Sequence, residues 1–354
     1  MKMKVAVIIP RLDLLGPVMV MQNMVNSLIV NDNLSIEVFY IDRNVSDQAK
    51  FSVPVKKLDT QKFFFADYDI VHTNGIRPDM FAFLNRRKIK YHISTLHNFI
   101  FDDLAYRYNK LFSWFFGYIW LLLLKRADKV ACVSYTAKTY YLKWFPSSRL
   151  EVIYNGISEA DNSFHPDFDV IRSIQSLRDN GLKILGCTGN LTRIKGIDQI
   201  IYLISTEKKL GLVIIGDGKE ILNLIRLSEK LKIADRCVFC GKRENAVVYF
   251  RNFDFFIMPS RSEGFGLALI EAVQQRVPVI CSDIDVFKEL LSEEECTFFK
   301  LNDQASLAKA VKTAIETGNC KTNLAYSRYL NNYTSFLMAN HYYELYKSAC
   351  VIQG

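Results

Sequence analysis

The sequence predicts an α/β protein made of two doubly wound parallel-sheet domains. Three observations lead there. Short β-rich apolar runs alternate with helix-length stretches along most of the chain, as in a parallel sheet covered by helices on both faces. The alternation pauses in a polar stretch at residues 158–169, which holds Asn162, His165, Pro166 and three aspartates, and then resumes. The 354 residues, half of them hydrophobic and 23% charged, suffice for two domains with a core each.

The first series of strands is read at residues 5–9, 36–40, 69–72, 91–96, 129–133 and 151–154. Each is a short run rich in Val, Ile, Tyr or Phe, and a strand buried on both faces needs no polar alternation. The second series falls at 183–187, 212–215, 237–240, 255–258, 277–281 and 297–299, with helical patterns between, as at 220–231 and 266–274. Residues 324–352 are rich in Tyr and Leu with no Gly or Pro, and predict one or two helices. The expected domains are 1–157 and 181–330, with a linker at 158–180, a closing helix at 331–354 and a ligand cleft between the domains. In such sheets ligands bind beyond the carboxyl ends of the strands.

The eight cysteines are scattered, mostly through apolar runs, which suits reduced core thiols better than a disulfide framework. Cys237-Val-Phe-Cys240 lacks a second pair at zinc spacing. The opening residues run into the first strand and are too short in apolar length for a signal peptide. No stretch reaches the ~18 apolar residues of a confident membrane span. The net charge of +8 and pI near 8.9 favour anionic partners. No basic block with interleaved aromatics is present, so phosphates and an anionic membrane face are expected rather than nucleic acid. Residues 111–124 are apolar all round, with Lys110 before them and Lys125-Arg126 after. They read either as a buried core helix or as a helix dipped into a membrane surface. A helix of that length is ~21 Å long, short of a ~30 Å hydrocarbon core.

Chemistry concentrates in the second series. Ser262-Glu263-Gly264-Phe265-Gly266-Leu267 follows the strand at 255–258, and a helix begins near Gly266. Backbone N–H groups at such a loop and helix start, here those of Phe265, Gly266 and Leu267, suit an anion such as a diphosphate. Glu263 in the loop and Glu271 in the helix can serve a sugar ring and ribose hydroxyls. Gly189-Asn190-Leu191-Thr192-Arg193-Ile194-Lys195-Gly196-Ile197-Asp198 follows the strand at 183–187. Its two cations can neutralise a diphosphate, also as it departs; the plain alternative is a solvated pair. Gly216-Asp217-Gly218 lacks the third glycine of a dinucleotide fingerprint, with Ile221 in its place, which argues against NAD. His97 ends a first-series strand, as does His72, and a strand-end histidine serves either a ligand or the packing.

The Glu263 and Glu271 pair, seven residues between them, with the 189–198 loop, resembles the signature of retaining family-4 glycosyltransferases. The resemblance covers nearly the whole chain and is strongest over residues 183–285. It implies the GT-B fold, two facing Rossmann-like domains whose final helix crosses back to the first. It implies a nucleotide-sugar donor, with Arg193 and Lys195 on the diphosphate, Glu263 on the donor sugar, Glu271 on the ribose, Gly216 near the base and His97 at the sugar or acceptor. The family follows its histidine with Asp, where Asn98 stands here. Its first-domain loop carries paired glycines, where only Gly16 remains, followed by Pro17, which lacks an N–H. D-x-D pairs, metal sites in another glycosyltransferase fold, occur at Asp67/Asp69, Asp167/Asp169 and Asp283/Asp285. Three hits in unrelated contexts carry no weight, so no metal and no cofactor are expected.

The expected reaction moves a hexose or N-acetylhexosamine from a nucleotide sugar, UDP favoured, to a lipid-diphosphate-linked oligosaccharide. The setting is O-antigen, lipopolysaccharide or capsule assembly, on the cytoplasmic membrane face. A sugar-nucleotide 2-epimerase on the same scaffold and a non-catalytic membrane-associated scaffold are the rivals.

Overall fold

The computed structural model describes residues 2–42, 48–108, 110–159 and 164–351. The chain divides into two compact units: Met1–Ser158 with Asn332–Gly354, and Glu159–Asn331.

The first unit is a seven-stranded parallel sheet of β1 (Met3–Ile9), β2 (Leu34–Tyr40), β3 (Val55–Lys57), β4 (Ile70–Asn74), β5 (Tyr91–Leu96), β6 (Lys129–Cys132) and β7 (Leu150–Val152). Their order is β3-β2-β1-β4-β5-β6-β7. The central strands are buried on both faces: Val5 to Ile9 are wholly inaccessible, which explains their unbroken apolar sequence. Helices α1 (Gly16–Leu28), α2 (Ile76–Leu84), α3 (Ile100–Arg107), α4 (Lys110–Leu124) and α5 (Tyr135–Tyr141) connect the strands. Ser134 caps α5 by accepting from the Ala137 N–H at 3.0 Å.

The second unit opens with α6 (Phe168–Asp179), inside the stretch expected to be linker. Its buried side chains are Val170, Ile174 and Leu177, a narrow helical stripe in a polar sequence. The sheet comprises β8 (Lys183–Thr188), β9 (Leu210–Ile215), β10 (Cys237–Phe239), β11 (Phe255–Met258), β12 (Val279–Ser282) and β13 (Thr297–Phe299). Its order is β10-β9-β8-β11-β12-β13, all parallel. Between the strands run α7 (Ile197–Thr206), α8 (Ile221–Lys230), α9 (Leu267–Gln274) and α10 (Asp285–Leu290), followed by α11 (Gln304–Thr317) and α12 (Thr322–Asn332).

The final helix, α13 (Ser335–Val351), belongs to the first unit and packs on α1. Two tyrosines fasten it. Tyr346 Oη lies 2.6 Å from His72 Nδ1, His72 Nε2 lies 2.8 Å from Thr95 Oγ1, and Tyr342 Oη lies 2.9 Å from the same hydroxyl. Both His72 nitrogens are thus engaged in the core. A second buried cluster centres on Asp79, which accepts from Thr73 at 2.6 Å, Ser94 at 2.8 Å and Trp120 Nε1 at 2.7 Å.

Helix α4 is neither wholly core nor wholly surface. Ser113, Gly117, Leu121 and Leu124 are buried, while Leu111, Trp114, Phe115, Tyr118 and Leu122 are exposed. Among the described residues, no helix is long and apolar enough to cross a membrane.

Candidate active site

In the second unit the strand order reverses between β8 and β11, and ligands of doubly wound sheets bind at such a switch point. The loops after these two strands hold most of the residues singled out above. After β8 the chain makes a 3-10 turn, Arg193–Lys195, closed by Gly196 at φ 65°. A Cβ at Gly196 would lie 2.1 Å from the Pro259 carbonyl oxygen, so the two loops touch backbone to backbone only because this residue is glycine. Gly216, after β9, plays the same part on the other side: at φ 148° a Cβ would lie 2.0 Å from the Gly189 oxygen.

Lys195 Nζ donates to Glu263 Oε1 at 2.5 Å, and Ser260 Oγ donates to the same oxygen at 2.8 Å. The two charges come from loops 68 residues apart in sequence, and both side chains retain some solvent access. Arg193 is mostly exposed, its Nε 3.5 Å from Glu220 Oε1. Arg261 ties the loops together: its guanidinium grips Asp198 at 2.9 and 2.7 Å and donates to the Arg193 carbonyl at 2.6 Å. Gln199 Nε2 donates to the Pro259 carbonyl at 2.9 Å. Lys195 and Arg193 are therefore held in a fixed backbone frame.

Gly266 at φ 98° caps α9, and its carbonyl accepts from the Leu269 N–H at 3.0 Å. The N–H groups of Gly266 and Leu267 have no backbone acceptor among the described residues. Phe265 is buried beside them. Glu271 lies in the second turn of α9, and burial pushes its carboxyl up to about 7. No ion pair or side-chain hydrogen bond offsets that burial among the described residues.

Two singled-out residues lie in the first unit instead. Gly16 is the first residue of α1, with Pro17 after it. His97 follows β5; its Nε2 is buried with no hydrogen-bond partner among the described residues. Burial pulls its imidazole down to about 4, so the ring is neutral near pH 7 and carries an unused polar atom.

Four of the six D-x-D aspartates have structural partners. Asp69 accepts from Lys4 N and Lys90, Asp167 and Asp169 pair with Arg243, and Asp283 accepts from the Leu301 N–H. Cys237 and Cys240 are buried, their thiols pushed up to about 12 and about 11 by burial, which suits packing rather than metal binding. Among the described residues no three His, Cys, Asp or Glu side chains come together as a metal cage. Sequence reasoning missed Ser260, Glu220, Arg261 and Asp198. Asp198 stood in the quoted motif, but its partner lies 63 residues away.

Comparison with known proteins comes down on one side. The model of "Glycosyl transferases group 1" matches residues 171–331, and that of "Glycosyltransferase Family 4" matches residues 33–161. The chain is 32% identical, over 98% of both chains, to the O-antigen biosynthesis glycosyltransferase WclY of Escherichia coli. It is 30% identical to the lipopolysaccharide core biosynthesis mannosyltransferase LpsB of Rhizobium meliloti (strain 1021), over 53% of this chain and 55% of that one. In fold it matches Anabaena Alr3699/HepE, solved in complex with UDP and glucose, at a TM-score of 0.80 and 17% identity over 98% and 100% of the chains. Sucrose-phosphate synthase from Thermosynechococcus elongatus gives a TM-score of 0.80 and 18% identity over 99% and 100%. At these identities the two structures speak for the GT-B fold alone.

Proposed function

This chain belongs to the family-4, group 1 glycosyltransferases, and from that premise we propose that it is a retaining hexosyltransferase of O-antigen or related surface-polysaccharide assembly. The donor is a nucleotide sugar, UDP favoured, and the acceptor a hydroxyl of a lipid-diphosphate-linked oligosaccharide at the cytoplasmic membrane face. The observation that carries this reading is the Lys195–Glu263 pair at 2.5 Å, set where β8 and β11 diverge. A cation there, next to Arg193 and the N–H groups of Gly266 and Leu267, suits a diphosphate; a carboxylate beside it suits the sugar that the diphosphate carries.

In the reaction the bond between the anomeric carbon and the donor phosphate oxygen breaks, and a bond to the acceptor oxygen forms on the same face. The acceptor's proton passes to the leaving phosphate oxygen, so no protein nucleophile is needed. Lys195 and Arg193 take up the charge that develops on the diphosphate, and such preorganised groups are worth about 10²–10³ in rate each. N–H groups at Phe265, Gly266 and Leu267 assist them. Glu263 orients the sugar, Glu271 receives the ribose hydroxyls, and Gly216 passes near the base. His97 and Gly16 serve the sugar, acceptor or donor phosphates from the first unit. The lysine and arginine supply the neutralisation, so the reading assigns no metal and no cofactor. The family membership, the UDP named with a structural neighbour and the O-antigen role of a relative support it.

Thermal-shift titration with UDP, GDP and dTDP, with and without EDTA, tests the donor. A ligand at a hundred times its dissociation constant stabilises by about 2.7 kcal/mol. The expected result is stabilisation by UDP that survives EDTA and is lost in Lys195→Ala. No shift with any nucleotide would leave a scaffold protein instead.

A further inference from the structure

Helix α4 presents two apolar faces, and the fold covers one of them. On the inner face Ser113 Oγ donates to the Phe101 carbonyl. Gly117 admits the Phe101 ring so closely that a Cβ would lie 2.5 Å from a ring carbon. Trp120 reaches inward to Asp79. These three contacts fix the helix's rotation about its axis. The opposite face is then Leu111, Trp114, Phe115, Tyr118 and Leu122, all within a ~100° arc at 100° per residue.

Among the described residues nothing covers most of this row: Leu111 is 81% exposed, Trp114 62%, and Phe115 and Leu122 each 55%. With ~150–250 Å² per aromatic side chain, the row leaves on the order of 500 Å² of apolar surface in water, the size of the largest patch on a typical soluble monomer, which is often functional. The ends of the helix are cationic. Residues 110–127 contain no Asp or Glu, and Lys110, Lys125 and Arg126 stand at the helix ends. Arg126 stacks over the Phe83 ring of α2 at 4.6 Å, which brings exposed Leu84, Arg87 and Lys88 to the same end.

We propose that this outward row of α4 docks the first unit on an anionic bilayer, lying in the headgroup layer with Trp114, Phe115 and Tyr118 in the interface. The inference rests on the reading that the acceptor is a membrane lipid. Apolar and aromatic residues between cationic ends are the chemistry of an interfacial helix, and ~22 Å of helix lies along a surface rather than across it.

Co-sedimentation with vesicles of phosphatidylcholine, with and without phosphatidylglycerol, tests this. The intact chain pellets with the anionic vesicles. The double variant Trp114→Ser, Phe115→Ser lowers that partition at least tenfold, and Arg87→Glu with Lys125→Glu lowers it severalfold and removes its salt dependence. In both variants the thermal midpoint and the UDP shift stay unchanged, so folding and the donor site are intact. The proposal is overturned if the intact chain stays in the supernatant or if the serine variant pellets equally well. It is also overturned if sedimentation velocity reports a dimer that this variant dissolves without any vesicle binding, which makes the row a contact between copies. UDP stabilisation without vesicle binding sinks the docking alone; vesicle binding without any nucleotide shift sinks the transferase reading alone.

Discussion

The two units share one sheet logic and use it differently. Each is a doubly wound parallel sheet with one reversal of strand order, between β1 and β4 in the first and between β8 and β11 in the second. At the second reversal, charges meet with solvent access: Lys195, Glu263 and Arg193. At the first, the loop after β1 brings Gly16 and Pro17, and Asn74 Nδ2 donates to the Pro17 carbonyl at 3.1 Å. The first unit puts its ionisable groups inside instead: His72, His92 and Asp79 are fully buried. The same topology thus spends polar chemistry on the proposed donor site in one domain and, at His72, His92 and Asp79, on the core in the other.

The sharpest way to break this comparison is to truncate each reversal in turn. Lys195→Ala or Glu263→Ala should lower turnover about 10²–10³-fold, the cost of removing a preorganised charge partner, with little change in thermal midpoint. Asn74→Ala should cost about 1 kcal/mol of stability, one hydrogen bond's worth, and less than tenfold in turnover. Steady-state kinetics with the donor identified by titration decide it. Equal losses at both sites would erase the distinction.

Acid should separate the units next. Burial pulls His72 and His92 down to about 3 and His97 to about 4. Their folded values lie below the ordinary ~6.5, so unfolding takes up three protons as pH falls below that. Asp79 opposes them: burial raises it to about 6, so between about pH 6 and 4 unfolding releases its proton. The net uptake of two protons weakens the first unit by at most ~2.7 kcal/mol per pH unit. The second unit's single histidine, His165, is exposed. Trp114, Trp120 and Trp144 all lie in the first unit, so tryptophan fluorescence reports that unit alone. Its urea midpoint should fall between pH 6.5 and 5 while far-UV circular dichroism retains a later transition. A fluorescence midpoint that holds steady or rises sinks the idea.

Much of the sheet was legible because strands buried on both faces are plain apolar runs; β5, β11 and β13 fall where the pattern places them, and the other expected strands shift by a residue or two. Strand β3 escaped notice since it is three residues long, carries Lys56 and Lys57 and lies mostly exposed at the edge. Helix α6 hid in a stretch read as linker because only three of its twelve residues are buried. Periodicity was silent on α4, where both faces are apolar and only packing tells them apart. The motif loops were visible in sequence, but not that Arg261 would clamp Asp198 or that Ser260 would share Glu263 with Lys195. Such contacts depend on loops brought together by strand order, and local spacing carries no record of that.

The smallest expected effect sharpens the comparison inside the second unit. Among the described residues of that unit, Glu271 is the one carboxylate that burial raises to about 7, with no cation or donor to offset it. Its folded value lies above the ordinary carboxyl value, so its contribution to stability is present at low pH and is lost as pH rises through about 7. Glu271→Gln removes that loss. The unliganded variant should melt on the order of 2 °C higher than the parent at pH 8 and at the same temperature at pH 5. It should also bind UDP about tenfold more weakly, since charge-assisted hydrogen bonds to ribose hydroxyls contribute roughly 1.5–3 kcal/mol. Stability gained and affinity lost by one substitution is the mark of a residue kept for its ligand. A variant that melts lower at pH 8 would mean that the carboxylate is held by the protein itself, and Glu271 would then belong with Asp79, on the structural side of the comparison.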